Sequence, residues 1–200
     1  YHTMKAIARI VCLCAALSSG AVYGAASGAA FEAEDARLNP ARAEIVAQES
    51  FRGKKGVALK QGLKASLDDA RAEPDLVFTV RSPQPGRFSL STVAAADAAG
   101  AEQMRKARSK FESLYAQIQI DGQRPTRRVV FVPWSDPQLC RQHTGTFELS
   151  GKAQEIRFWL PAGVRLDRLE VNPYRPPAVP KEASEYRPDI VPPATHPRLW

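Results

Sequence analysis

Between residues 75 and 171 the chain is built from short runs in which apolar and polar positions alternate. Residues 75–80 (Asp-Leu-Val-Phe-Thr-Val) form a compact run rich in β-branched and aromatic side chains. In residues 86–93, Phe88 and Leu90 alternate with Ser89 and Ser91, and in residues 115–121, Ala116, Ile118 and Ile120 alternate with Gln117 and Gln119. Further runs fall at 128–132, 146–149, 154–160 and 166–171. A two-residue period turns one face of each run towards a core, so each predicts a half-buried strand. Turn-forming pairs separate them: Pro85-Gly86, Asp121-Gly122, Ser150-Gly151 and Ala162-Gly163. Many short strands with regular turns predict an all-β, two-sheet antiparallel sandwich spanning residues 29–173. One segment changes period. Ala101, Met104, Ala107, Phe111 and Leu114 recur every three or four residues, which predicts an amphipathic helix over 97–114 inserted between two strands.

Both flanks differ from this body. After Tyr1-His2-Thr3, Met4 reads as the start, with Lys5 and Arg9 as a positive region, an apolar run over 10–17, and small residues over 18–30. That order predicts a secretory signal peptide over about residues 1–28, hence a secreted or periplasmic protein. A membrane anchor needs about 18 or more apolar residues, and this run is shorter. At the other end, eight of the sixteen prolines fall between Pro173 and Pro197. Such a stretch neither pairs in a sheet nor continues a helix, so residues 174–194 read as an extended tether. It leads into Thr195-His-Pro-Arg-Leu-Trp200, which reads as the threshold of a further domain.

Charge and cysteine content narrow the chemistry. Lys and Arg number 28 against 21 Asp and Glu, a net charge of +7. Loss of the leader removes Lys5 and Arg9 and leaves +5 on the mature chain. The basic excess concentrates on the polar face of the helix, at Arg105, Lys106, Arg108 and Lys110, and in the turn holding Arg124, Arg127 and Arg128. The face is either simply solvated or an electropositive patch for an anionic polymer. Nothing interleaves aromatic and basic residues as nucleic-acid binders do. Cleavage also removes Cys12 and Cys14, so Cys140 has no disulfide partner, and a zinc site lacks ligands.

The ordered motifs resemble a known family. Phe31-Glu32-Ala33-Glu34-Asp35-Ala36, then Gly53-Lys-Lys-Gly56-Val57, Pro83-Gln-Pro-Gly86-Arg-Phe88, Gln119-Ile120-Asp121-Gly122 and Leu166-Asp167-Arg168-Leu169-Glu170-Val171 follow the order seen in carbohydrate-binding modules of families 6 and 35. The resemblance implies a jelly-roll, galactose-binding-like sandwich. Glu32 and Glu34 are two apart, so on a strand their side chains leave the same face, and the resemblance implies a structural calcium ion shared by Glu32, Glu34 and Asp167, a donor set of hard oxygens that suits calcium. Without an ion, these are edge-strand acids that discourage sheet-to-sheet pairing. In such modules a sugar stacks on exposed aromatics in the loop after the strand that ends here in Val130-Phe-Val-Pro133-Trp134. Trp134 supplies one aromatic, as sugar platform or as loop anchor. The second aromatic is missing, and Arg165 replaces the expected Asn. Alternation sends Trp159 outward with Arg157, where it asks for a cover.

The terminal His-Pro-Arg-Leu segment is similar to the opening of the helical toroid domain of heparinase II/III-like polysaccharide lyases. That similarity implies a non-catalytic module positioning a lyase on acidic polysaccharide, uronate-containing or sulfated, with the C-terminal catalytic domain of the same protein as its partner. On this reading the catalytic residues lie beyond Trp200, and neither nucleic acid nor membrane is a partner. The alternative is a structural interdomain or protein-binding sandwich without a sugar site.

Overall fold

A computed structural model describes residues 28–66, 72–121 and 123–176. Residues 1–27, 67–71, 122 and 177–200 lie outside the described residues, and with them nearly all of the expected signal peptide and tether and the His196-Pro-Arg-Leu segment. Eleven strands and one α-helix are described: β1 (Ala29–Glu32), β2 (Arg37–Leu38), β3 (Ala43–Ala47), β4 (Lys55–Leu59), β5 (Leu76–Arg81), β6 (Pro85–Ala96), α1 (Ala98–Ser109), β7 (Leu114–Ile120), β8 (Thr126–Phe131), β9 (Cys140–Ser150), β10 (Ala153–Trp159) and β11 (Val164–Pro173). They form two antiparallel sheets. One has the order β3-β4-β11-β6-β9, with β1 also pairing β11; the other has the order β2-β5-β10-β7-β8. This is the two-sheet sandwich with one inserted helix that the alternation predicts.

The core is the set of inward positions of both sheets. Leu76, Phe78 and Val80 of β5 meet Ile156 and Phe158 of β10, Ile118 and Ile120 of β7, and Phe88, Leu90, Leu166 and Leu169 from the facing sheet. Phe78 and Phe158 meet edge to face at 5.5 Å, the arrangement aromatic quadrupoles favour. Two features escape a simple alternating pattern. The strands β2 and β3 carry little apolar signal: Arg37-Leu38 is two residues long, and Ile45 of β3 is exposed. The Gly56 position of β4 is dictated by close packing, since a β-carbon there would lie 2.4 Å from the Phe51 ring and 2.7 Å from the Leu166 carbonyl.

The helix is shorter than its apolar spacing predicts. Asp97 caps it, with its Oδ1 accepting from the Gly100 N–H at 2.8 Å, a strongly preferred cap. Gly100 approaches the Gly163 carbonyl so closely that a β-carbon would stand 2.1 Å away. Met104 and Ala107 are buried, but the helix ends at Ser109 and Phe111 leaves the buried stripe.

One buried acid joins the smaller sheet to the chain around it. Asp75 is fully buried. Its Oδ1 accepts from Arg42 Nε at 2.6 Å and its Oδ2 from the Leu160 N–H at 2.7 Å. Its own N–H donates to the Phe158 carbonyl at 2.8 Å, and its carbonyl accepts from the Asn39 N–H at 2.9 Å. Burial pushes the carboxyl upward, and the Arg42 and Leu160 hydrogen bonds oppose that. Asp75→Ala leaves Arg42 Nε, though not its Nη2, which donates to the Lys64 carbonyl, and the Leu160 N–H without partners, and is expected to cost about 3 kcal/mol. A urea unfolding midpoint lowered accordingly, with an unchanged slope, is the measurement that checks it.

Candidate functional site

The three acids singled out in the sequence lie together, by a route other than the expected one. Glu32 ends β1, but Glu34 sits in the short 3-10 turn Ala33–Asp35 rather than two places along the same strand. The shared strand face expected from their spacing does not exist; the turn carries Glu34 to the same place instead. Asp167 occupies a β-bulge: Leu166 pairs with Ala94 and Arg168 with Val93, so Asp167 is the extra residue. On the other edge of β11, β4 pairs up to Leu166 and β1 begins at Arg168. Asp167 therefore stands in the gap between β4 and β1. A bulge of this kind re-aims a side chain and ends local pairing, which here lets both Leu166 and Asp167 be buried.

Electrostatics shows how close the carboxylates are. Desolvation, then Asp167 and Glu34, push the Glu32 carboxyl above its ordinary value. Desolvation chiefly raises Asp167, with Glu34 adding and Arg168 opposing. Arg168 pairs with Asp167 and also with Glu170, at 3.0 Å. The Arg52 backbone also opposes the rise at Asp167. Even so, Glu32 Oε2, Glu34 Oε2 and Asp167 Oδ1 are buried with no hydrogen-bond partner. Gly53 leaves room for this, since a β-carbon there would come within 2.8 Å of Glu34 Oε1. Buried, unpartnered carboxylate oxygens are rare because they forfeit hydration without recompense. In donor type they fit a hard cation. Among the described residues, no three His, Cys, Asp or Glu side chains already surround one point in metal-holding geometry. The carboxylates would have to draw in around an ion.

Trp134 is 73% exposed, on a turn closed by the Ser135 N–H donating to the Val132 carbonyl at 3.0 Å. Arg108 reaches from the helix to this turn, with Nε donating to the Pro133 carbonyl at 2.8 Å. Trp159 is a correction. It leaves the core side of β10 as alternation requires, yet it is only 2% exposed. Its Nε1 donates to the Ala72 carbonyl at 3.0 Å, so the cover it needs comes from the chain before β5. No sugar platform exists there. The helix cations are likewise less free than their spacing suggests. Arg105 makes a two-pronged bond to Glu102, at 2.7 Å for each contact, and Lys106 lies 3.6 Å from the same carboxylate. Arg105 first, with Lys106 adding, pulls Glu102 down to about 2. Lys110 makes no ion pair with any described residue. Arg165, at the position of the expected Asn, donates to Gln48 Oε1 at 2.8 Å and ties β11 to the loop after β3. Cys140 is a free, partly buried thiol.

No family model matches the chain, and no curated protein matches it. Solved structures do. The chain is similar to a family 35 carbohydrate binding module from Clostridium thermocellum (18% identity, TM-score 0.52), over 72% of this chain and 98% of that one. It is also similar to the GH26-CBM35 β-(1,4)-mannanase of Podospora anserina (18%, TM-score 0.53), over 76% of this chain and 29% of that one. A third likeness is to the isomalto-dextranase of Arthrobacter globiformis T6 complexed with panose (14%, TM-score 0.53), over 72% of this chain and 23% of that one. The chain thus spans under a third of each enzyme and nearly the whole of the free-standing module. These likenesses establish the fold, a two-sheet sandwich like that of the family 35 module.

The raised carboxyls predict a pH dependence. In chelator, an acid whose folded pKa lies above its unfolded value favours folding when protonated. The contribution of Glu32 and Asp167 is therefore fully present below the ordinary carboxylate range and is lost as pH rises through their raised values. The melting temperature in EDTA should fall over that rise, and Glu32→Gln should flatten the slope. An equally steep slope in the variant would remove Glu32 from the account.

Proposed function

We propose that this chain is a non-catalytic carbohydrate-binding module. The observation that carries the reading is that its sandwich is similar to a free-standing family 35 module along nearly all of that module's length. Trp134 adds an exposed ring on a turn at the edge of the fold, as a sugar-stacking platform. Arg105, Lys106, Arg108 and Lys110 add positive charge beside it. The partner these residues favour is an acidic polysaccharide, uronate-containing or sulfated. The parent is an exported, heparinase II/III-like lyase whose catalytic domain follows Trp200. A reading frame that continues through several hundred codons bearing the lyase machinery supports that parent, and an immediate stop codon overturns it.

The alternative reading, a structural sandwich, draws on two facts: Trp159 is covered by the chain itself, and Glu102 neutralises part of the helix charge. Affinity electrophoresis separates the two. Migration should slow in gels containing heparin or alginate, and the retardation should fade with salt because screening weakens exposed pairs. Equal mobility in those gels, a neutral-glucan gel and a blank gel would favour the structural sandwich.

Calcium belongs to the same reading. Glu32, Glu34 and Asp167 would hold it, joined by backbone carbonyls, and the ion would neutralise their repulsion and fasten β1 to β11. Ligand that binds only the folded state at 100 times its Kd stabilises by about 2.7 kcal/mol. Millimolar calcium should therefore raise the melting temperature of the chain and leave Asp167→Asn unmoved. Identical melting in calcium and EDTA would count against the ion.

A further inference from the structure

Phe111 occupies a backbone position made for glycine. The Glu112 N–H donates to the Ala107 carbonyl at 2.9 Å and the Phe111 N–H to the Arg108 carbonyl at 3.2 Å. This pair of bonds is the Schellman closure of a helix, which requires a left-handed residue in the place Phe111 fills. Phe111 has φ 56°. A β-carbon is crowded in that conformation, and glycine adopts it freely. The ring gains nothing from packing in return, being 84% exposed. Strain at one residue combined with a large exposed ring points to a task outside the fold.

The position of Phe111 supplies the task. Among the described residues, Phe111 and Trp134 are the two most exposed large hydrophobic side chains. Their segments are stitched together at two points. Arg108 Nε bonds the Pro133 carbonyl at 2.8 Å, and Leu114 of β7 pairs with Phe131 of β8. Both rings therefore rise from one edge of the sandwich, with Arg108 and Lys110 beside Phe111. Rings flanked by Lys110, a residue type depleted from protein interface cores, are less suited to a protein partner. They suit a polymer that offers apolar ring faces and anionic groups in alternation.

We propose that Phe111 is the second aromatic of a saccharide-binding surface whose first is Trp134, with Lys110 and Arg108 meeting carboxylate or sulfate groups of the chain bound there. The inference rests on the carbohydrate-binding reading above. It replaces the aromatic missing downstream of Trp134 with one delivered from the inserted helix.

The experiment uses the whole chain in affinity gels of heparin and alginate, with thermal melting in parallel. Phe111→Gly relieves the backbone and removes the ring. Melting should rise by about 2–4 °C, while apparent affinity for the acidic polymer should fall roughly 3- to 10-fold. Phe111→Leu keeps the crowded β-carbon and removes the ring; it should lose the same affinity with no gain in melting temperature. Phe111→Tyr should bind as the parent does. Two wild-type-like Phe111 variants beside a non-binding Trp134→Ala would overturn this inference and leave the carbohydrate reading standing. A parent chain that no acidic polymer retards would overturn both.

Discussion

Three carboxylates share one gap in the larger sheet, and their mutual repulsion is the constraint around which this end of the fold is arranged. Glu32, Glu34 and Asp167 each keep one buried oxygen without a partner. A globular protein ordinarily avoids that arrangement, because each such oxygen gives up hydration and receives nothing. Arg168 relieves part of it but is divided between Asp167 and Glu170. Glu170 in turn draws on Arg141 at 2.5 Å. The compensation is thus spread along β11 instead of being concentrated on the three acids. A site left short of positive charge in this way is suited to a cation supplied from solution.

The acids also sit at the root of the loops that carry Trp134. The Arg52 backbone lies near enough to Asp167 to favour its charged form. Two residues earlier, Ser50 Oγ donates to the Gln138 carbonyl at 2.9 Å, and the Ala96 N–H donates to the Pro137 carbonyl at 2.7 Å. Arg165 secures the same loop through Gln48. A continuous set of contacts therefore runs from the bulge, through residues 48–52, to the segment that follows Trp134. The Ser50 hydroxyl and the Gln48 amide are the side chains that close this path.

Much of this was legible in the sequence, and the exceptions have physical causes. The sandwich, the helix and most of the strands follow from alternation and turn chemistry. β2 and β3 did not show because short edge strands bury little and carry little apolar signal. The motif order picks out the acids at 32, 34 and 167, but spacing places the first two on one strand face, whereas a 3-10 turn interrupts the strand after Glu32. The bulge at Asp167 was invisible because it depends on where β4 and β1 divide one edge of β11 between them. Alternation gave the correct face for Trp159 and the wrong exposure. Period reports which side of a sheet a residue leaves, and only the chain around Ala72 determines that this side is covered. Spacing assigns Phe111 to the buried stripe of the helix, because it does not reveal that the helix closes two residues earlier.

The last case bears on how a basic surface is to be read. Counting cations on the helix suggests a field of four, but Glu102 holds two of them and Arg108 spends a hydrogen bond on the Pro133 carbonyl. Formal charge therefore overstates the attraction available to an anionic polymer, and exposed pairs contribute only about 0.2–1 kcal/mol each in any event. Arg108 has a second effect: it fixes the turn that holds Trp134 against the end of the helix that holds Phe111. On the proposed reading, recognition would draw selectivity from ring placement, with charge favouring acidic chains over neutral ones.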